Sequence, residues 1–165
     1  MRLPIVITAG LVLSLGLNAP VIAQSPIELA QSSQTNLRSQ LKQLRINRRW
    51  WRRANISSYR YTFSNGCFCV PEARGPVVIE VINGQTTSIT SVETGEPVNR
   101  ELFQAFDTIP KLFQVIANGI RSRADRLEVD YDPTLGYPTQ ITIDFSFQIA
   151  DEELFLGIRD FEVIE

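Results

Sequence analysis

The chain has 165 residues, 44% of them hydrophobic and 21% charged, which is enough apolar material for one domain with a real core. Its net charge of −2 is near neutral and excludes no class of partner. Histidine is absent, which removes the commonest general base and the commonest transition-metal ligand, and argues against a zinc site, a Ser-His-Asp triad and a Cys-His dyad.

Residues 1–23 read as a secretory signal. Arg2 is the positive start, Ile5 to Leu17 is an apolar stretch too short to span a bilayer, and Val21-Ile22-Ala23 offers a cleavage site before Gln24. The expectation is an exported protein, periplasmic or extracellular and soluble, with no integral membrane segment once the signal is removed. Residues 24–36 are polar and aperiodic and read as a flexible arm, with Ser33, Thr35 and Asn36 available as helix caps. A single domain is expected over residues 37–165.

Leu37, Leu41, Leu44 and Trp51 fall at helical spacing and predict a helix ending near Ala54. A second stripe, Arg38, Lys42, Arg45, Arg49 and Arg52, runs beside it, and Trp50-Trp51 is expected to bridge the helix to the core. Tyr59, Tyr61 and Phe63 alternate with Arg60, Thr62 and Ser64, the mark of a strand with one aromatic face. Val77–Ile82 and Gln85–Val92 flank Asn83-Gly84, the preferred pair for a two-residue hairpin turn. Asn99–Phe106 reads as a short helix. The next helix is capped by Asp107 or Thr108, carries Pro110 in its first turn, and buries Leu112, Phe113, Ile116 and Ile120. Leu127, Val129 and Tyr131 form one further strand, and Ile141, Ile143, Phe145 and Phe147 the inner face of the next. In the last strand the apolar parity shifts from Leu154, Leu156 and Ile158 to Phe161 and Val163, which predicts a bulge near Arg159-Asp160. The order is helix, three strands, helix, three strands. It implies an α+β domain with an antiparallel sheet and helices packed on one face, arranged as two tandem αβββ units.

Two stretches carry a resemblance. Tyr59-x-Tyr61-x-Phe63 followed by Cys67-Phe68-Cys69-x-Pro71, and Val129-x-Tyr131-Asp132-x-x-x-Gly136-Tyr137-Pro138-Thr139-x-Ile141-x-Ile143-Asp144, are similar to the signatures of a family of exported bacterial proteins known as domain of unknown function 6174. The likeness spans roughly residues 50–164 and includes Asp151-Glu152-Glu153 before the last strand. It implies compartment and domain limits and transfers no catalytic residue.

Cys67 and Cys69 are the only cysteines. In an ideal strand their Cα atoms would be about 6.6 Å apart, at the long edge of disulfide geometry, and a turn at Asn65-Gly66 would shorten that. Three readings are open: a structural disulfide, a redox-active disulfide, and a soft-metal dithiolate such as a Cu(I) site. Glu128, Asp130, Asp132 and Asp144 are expected on the exposed face of two strands. There they are either a solvated surface or oxygen ligands for a hard cation, with Asp130, Asp132 and Asp144 the weak metal candidates. Tyr137 is either part of a turn or an exposed aromatic anchor for a partner. Arg45, Arg49 and Arg52 are either solvated or a binding strip for a weak anionic surface contact. Neither a cofactor nor a nucleic acid is expected. The reading that follows is an exported, non-enzymatic domain that binds a protein or an envelope ligand. The alternative is a thiol redox or soft-metal-handling protein that uses Cys67 and Cys69.

Overall fold

The computed structural model describes the backbone of residues 26–149 and 151–164, with side chains from Leu37 onward. The expected signal, residues 1–23, lies outside the described residues. Among the described residues two helices, α1 (Pro26–Ala54) and α2 (Ile109–Ser122), accompany six strands: β1 (Tyr59–Asn65), β2 (Val77–Ile82), β3 (Gln85–Ser91), β4 (Arg126–Tyr131), β5 (Pro138–Asp144) and β6 (Leu154–Val163). The strands form one antiparallel sheet in the order β3-β2-β1-β6-β5-β4. Each αβββ unit therefore supplies half the sheet as a three-strand meander, and the halves join where β1 meets β6.

The helix α1 begins at Pro26, eleven residues ahead of Leu37, so a structureless arm over residues 24–36 is corrected to a helical backbone from Pro26 on. Gln31, Ser32, Ser33, Gln34, Thr35 and Asn36 offer no apolar repeat, so periodicity does not mark this stretch as helical. Proline at the first helical position is tolerated because its missing N–H would be unpaired there in any case.

Strand alternation places the core on one face. Tyr59, Tyr61, Phe63, Val77, Ile79, Val81, Ile141, Ile143, Leu156 and Ile158 are all buried. The cover is of two kinds. Helices α1 and α2 pack on each other, and both pack on β4. Over β1 the cover is irregular chain: Phe103 meets Phe63 edge-on at 6.1 Å between centroids, and Phe106 stacks on it at 5.5 Å. The expected helix over Asn99–Phe106 is reduced to a single 3-10 turn, Arg100–Leu102, capped by Asn99, because the segment is spent on delivering two phenylalanines to the sheet.

Turn chemistry holds where the sequence marks it. Asn83 and Gly84 both have positive φ, 50° and 76°, as a type I′ hairpin requires. Thr108 caps α2, its Oγ1 accepting from the Lys111 N–H. The bulge in β6 lies where the parity shifts: the β1–β6 register slips between Arg60 and Thr62, and Asp160 takes φ 51° opposite it. The slip turns Phe161 onto the core face, where it stacks on Tyr59 at 5.5 Å.

Candidate functional site

The strand β1 ends at Asn65, and the chain bends sharply through Cys67, Phe68 and Cys69 before Pro71. The bend brings the two cysteines to disulfide distance, with their Cα atoms 5.2 Å apart. Two clamps hold it. The Gly66 N–H donates to the Phe155 carbonyl at 2.8 Å, and both Nε and an Nη of Arg74 donate to the Cys69 carbonyl, at 3.1 and 2.9 Å. With its neighbours tied back in a small ring, Phe68 has no core to reach and is 80% exposed.

At the same end of the sheet β5 stops and β6 starts, and residues 145–153 connect them. The strand predicted through Phe147 ends at Asp144, and Phe147 is 70% exposed rather than buried. Its N–H donates to the Asp125 carboxylate at 2.9 Å. Cys67, Phe68 and Cys69 on one side, with Phe145 and Leu154 on the other, enclose a groove of about 600 Å³. Asp151, Glu152 and Glu153 form its acidic rim. Val70, Phe147 and Ile149, from the same two loops, are also exposed. Phe68, Phe145 and the three acids are not among the candidate residues the sequence singles out.

The remaining candidates do not gather at this groove. Tyr137 is 9% exposed, so the exposed-anchor reading is corrected: its ring stacks on Phe161 at 4.4 Å and meets Trp51 edge-on at 6.3 Å. Burial raises its phenol pKa, helped by the Asp132 carboxylate. Asp132 is occupied in the turn, its Oδ1 accepting from the Thr134 and Leu135 N–H groups at 2.9 and 2.7 Å. Asp130 stands opposite Gln140 on the outer face, and Asp144 opposite Arg126 near the far end of the same strand pair. Asp144 is buried, unlike the exposed residue expected. Glu128 pairs with Arg126 at 2.8 Å, and that hydrogen bond lowers its carboxyl pKa. Among the described residues no group of three or more Asp, Glu, Cys or His side chains could hold a metal ion. Arg45, Arg49 and Arg52 are exposed on α1, and no ion pair among the described residues involves that helix. Trp51 is buried against Tyr59, but Trp50 is 42% exposed, so only the second tryptophan bridges to the core.

Fold and site thus define a two-layer α+β domain, a pair of αβββ units with a loop at one end of the sheet that holds two cysteines at disulfide distance. The chain matches the model of the Family of unknown function (DUF6174) over residues 43–163, and it belongs to that family. The match starts earlier than the resemblance read from the sequence and takes in the last turns of α1. No curated protein and no solved structure matches the chain. Among the described residues no helix is long and apolar enough to cross a membrane.

Proposed function

We propose that this protein is an exported, non-enzymatic binding domain whose ligand occupies the groove beside Cys67 and Cys69. The observation that carries the reading is Phe68, a large apolar side chain held out over a groove by a covalently closed loop. Exposed aromatics fixed at the mouth of a concavity are typical binding anchors, because little side-chain entropy is lost when they are covered. The acidic rim adds a preference: the ligand carries an apolar group next to positive charge, as a Lys- or Arg-bearing protein segment or an envelope amine does.

The test is capture from an extracytoplasmic extract with the purified protein as bait, alongside Phe68→Ala and a Glu152→Gln/Glu153→Gln double variant. Capture that is lost in Phe68→Ala and weakened in the double variant supports the reading. Equal capture by all three proteins, or a turnover activity independent of Phe68, overturns it.

A second reading, thiol redox or soft-metal handling, draws support from the groove opening directly onto both cysteines. The donor set weighs against metal handling, since two thiolates alone make a weak soft-metal site. A reduction potential in the range of ordinary structural disulfides, with no Cu(I) uptake by the reduced protein, removes this reading.

A further inference from the structure

The sequence from Leu29 to Pro71 contains no Asp or Glu and eight Arg or Lys residues, seven of them on α1. Helical spacing sorts those seven. Leu44, Asn47 and Trp51 are buried, whereas Arg38, Lys42, Arg45, Arg49, Arg52 and Arg53 are exposed on the side away from them. From Arg38 to Arg52 the stripe is about 21 Å long at 1.5 Å per residue. Trp50 and Arg53 lie three residues apart, on one helix face, and together with Ala54, Pro133 and Thr134 they line an open groove of about 360 Å³. The side chain one turn before Arg53, on the flank of the stripe, is therefore an indole, amphipathic and large, 42% exposed although its neighbour Trp51 is buried in the core.

We propose that this stripe seats the protein on an anionic lipid surface, with α1 lying along it and Trp50 at headgroup depth. A straight row of cations on a convex helix matches a flat sheet of negative charge. It does not converge on a point as a pocket for a single anion would, and tryptophan is the residue favoured at the boundary between water and acyl chain. Each Lys or Arg near such a surface strengthens binding about fivefold, so six together are enough for reversible attachment without insertion. The proposal is independent of the groove at Cys67. That groove lies beyond the C-terminal end of β1, whereas Ala54 leads into the start of the same strand, seven residues away along the sheet.

The experiment is co-sedimentation of the full chain, expressed in an exporting host, with vesicles of phosphatidylcholine alone or doped with phosphatidylglycerol. Binding to the doped vesicles only, weakening with salt and accompanied by a blue shift of tryptophan emission, is the expected result. Arg45→Gln/Arg49→Gln/Arg52→Gln lowers the affinity about a hundredfold, Arg45→Lys/Arg49→Lys/Arg52→Lys retains it, and Trp50→Phe abolishes the emission shift. The wild-type comparison stands even if the glutamine variant fails to fold. Equal binding to neutral vesicles overturns the proposal. So does tight binding of inorganic polyphosphate that leaves vesicle attachment absent, which assigns the stripe to a soluble polyanion. Stripe-dependent self-association without vesicles overturns it in favour of a second copy of the chain.

Discussion

Gly136 lies so close to the helix α1 that a Cβ placed on it would stand 2.6 Å from the Asn47 carbonyl oxygen and 3.1 Å from the Trp50 Cβ. Its φ of +76° closes the β4–β5 turn, and its bare Cα lets that turn press against the helix backbone. Gly136→Ala therefore combines a left-handed alanine with a backbone collision, and should lower stability by about 3 kcal/mol or more. Gly84 has the same φ but nothing within 4 Å of the corresponding position. Gly84→Ala should lose only the conformational part, about 1 kcal/mol. Equal denaturation midpoints for the two variants would mean that the turn and helix do not meet.

Phe63 and Thr62 are neighbours on opposite faces of β1. Phe63 is fully buried between Phe103 and Phe106, and Thr62 faces outward opposite Arg159. Phe63→Ala should cost about 3–5 kcal/mol, the range for emptying a core aromatic site. Thr62→Ala should stay within about 0.5 kcal/mol or little more, as for other surface changes. Urea unfolding of both variants checks the phase of the strand.

Two buried phenols have different surroundings. The Ile109 N–H donates to Tyr59 Oη at 3.0 Å, at the start of α2, whereas Tyr131 Oη has no partner among the described residues. Tyr59→Phe leaves a buried N–H unpaired and should cost about 1–3 kcal/mol. Tyr131→Phe should be neutral or stabilising, since it removes a polar atom whose burial nothing offsets. Thermal melts that rank the two variants the other way would count against these contacts.

Burial pushes the Tyr59 phenol up to about 12 and raises Tyr61 and Tyr131 as well. In the unfolded chain these groups titrate near 10. Folding therefore retains protons that the unfolded state releases, so the stabilisation is fully present below pH 10 and is lost as pH rises towards 12. Stability measured from pH 8 to 12 should be level at first and then fall steeply, with a gentler fall in Tyr131→Phe. A flat profile to pH 12 would contradict the burial of these rings.

Cys67 and Cys69 close a loop of three residues. So short a loop restricts the unfolded chain little, and Cys67→Ser/Cys69→Ser should lower stability by about 1 kcal/mol or less. Its effect should fall on the groove instead: freed from the ring, Phe68 becomes mobile and capture of the ligand weakens. Failure of the double variant to fold would make the pair a core element, and the display role would go with it.

Much of the architecture was legible because its signals are local. Tyr59, Tyr61 and Phe63 alternate whatever the rest of the chain does, Asn83-Gly84 favours one turn, and the parity change before Phe161 requires an extra residue in β6. The tandem αβββ order follows from these signals taken in sequence. The fate of individual side chains was not legible in the same way. Tyr137, Phe147 and Trp50 are all large and aromatic, yet the first is buried under Trp51 and Phe161 while the other two stand in solvent.

The positions of strands and turns, the apolar face of each strand and the presence of one closely spaced pair of cysteines can thus be read along the chain. The tertiary structure alone decided which apolar residues find a cover. Burial depends on what a distant segment lays over a residue: residues 99–106 over Phe63, the turn at Gly136 over Asn47, and, among the described residues, nothing over Phe68. Alternation along a strand is a property of neighbours a few ångströms apart and can be read from the chain. A groove between residues 67–69 and 145–154 forms only when β1 and β6 are paired, because nearly eighty residues separate its two walls.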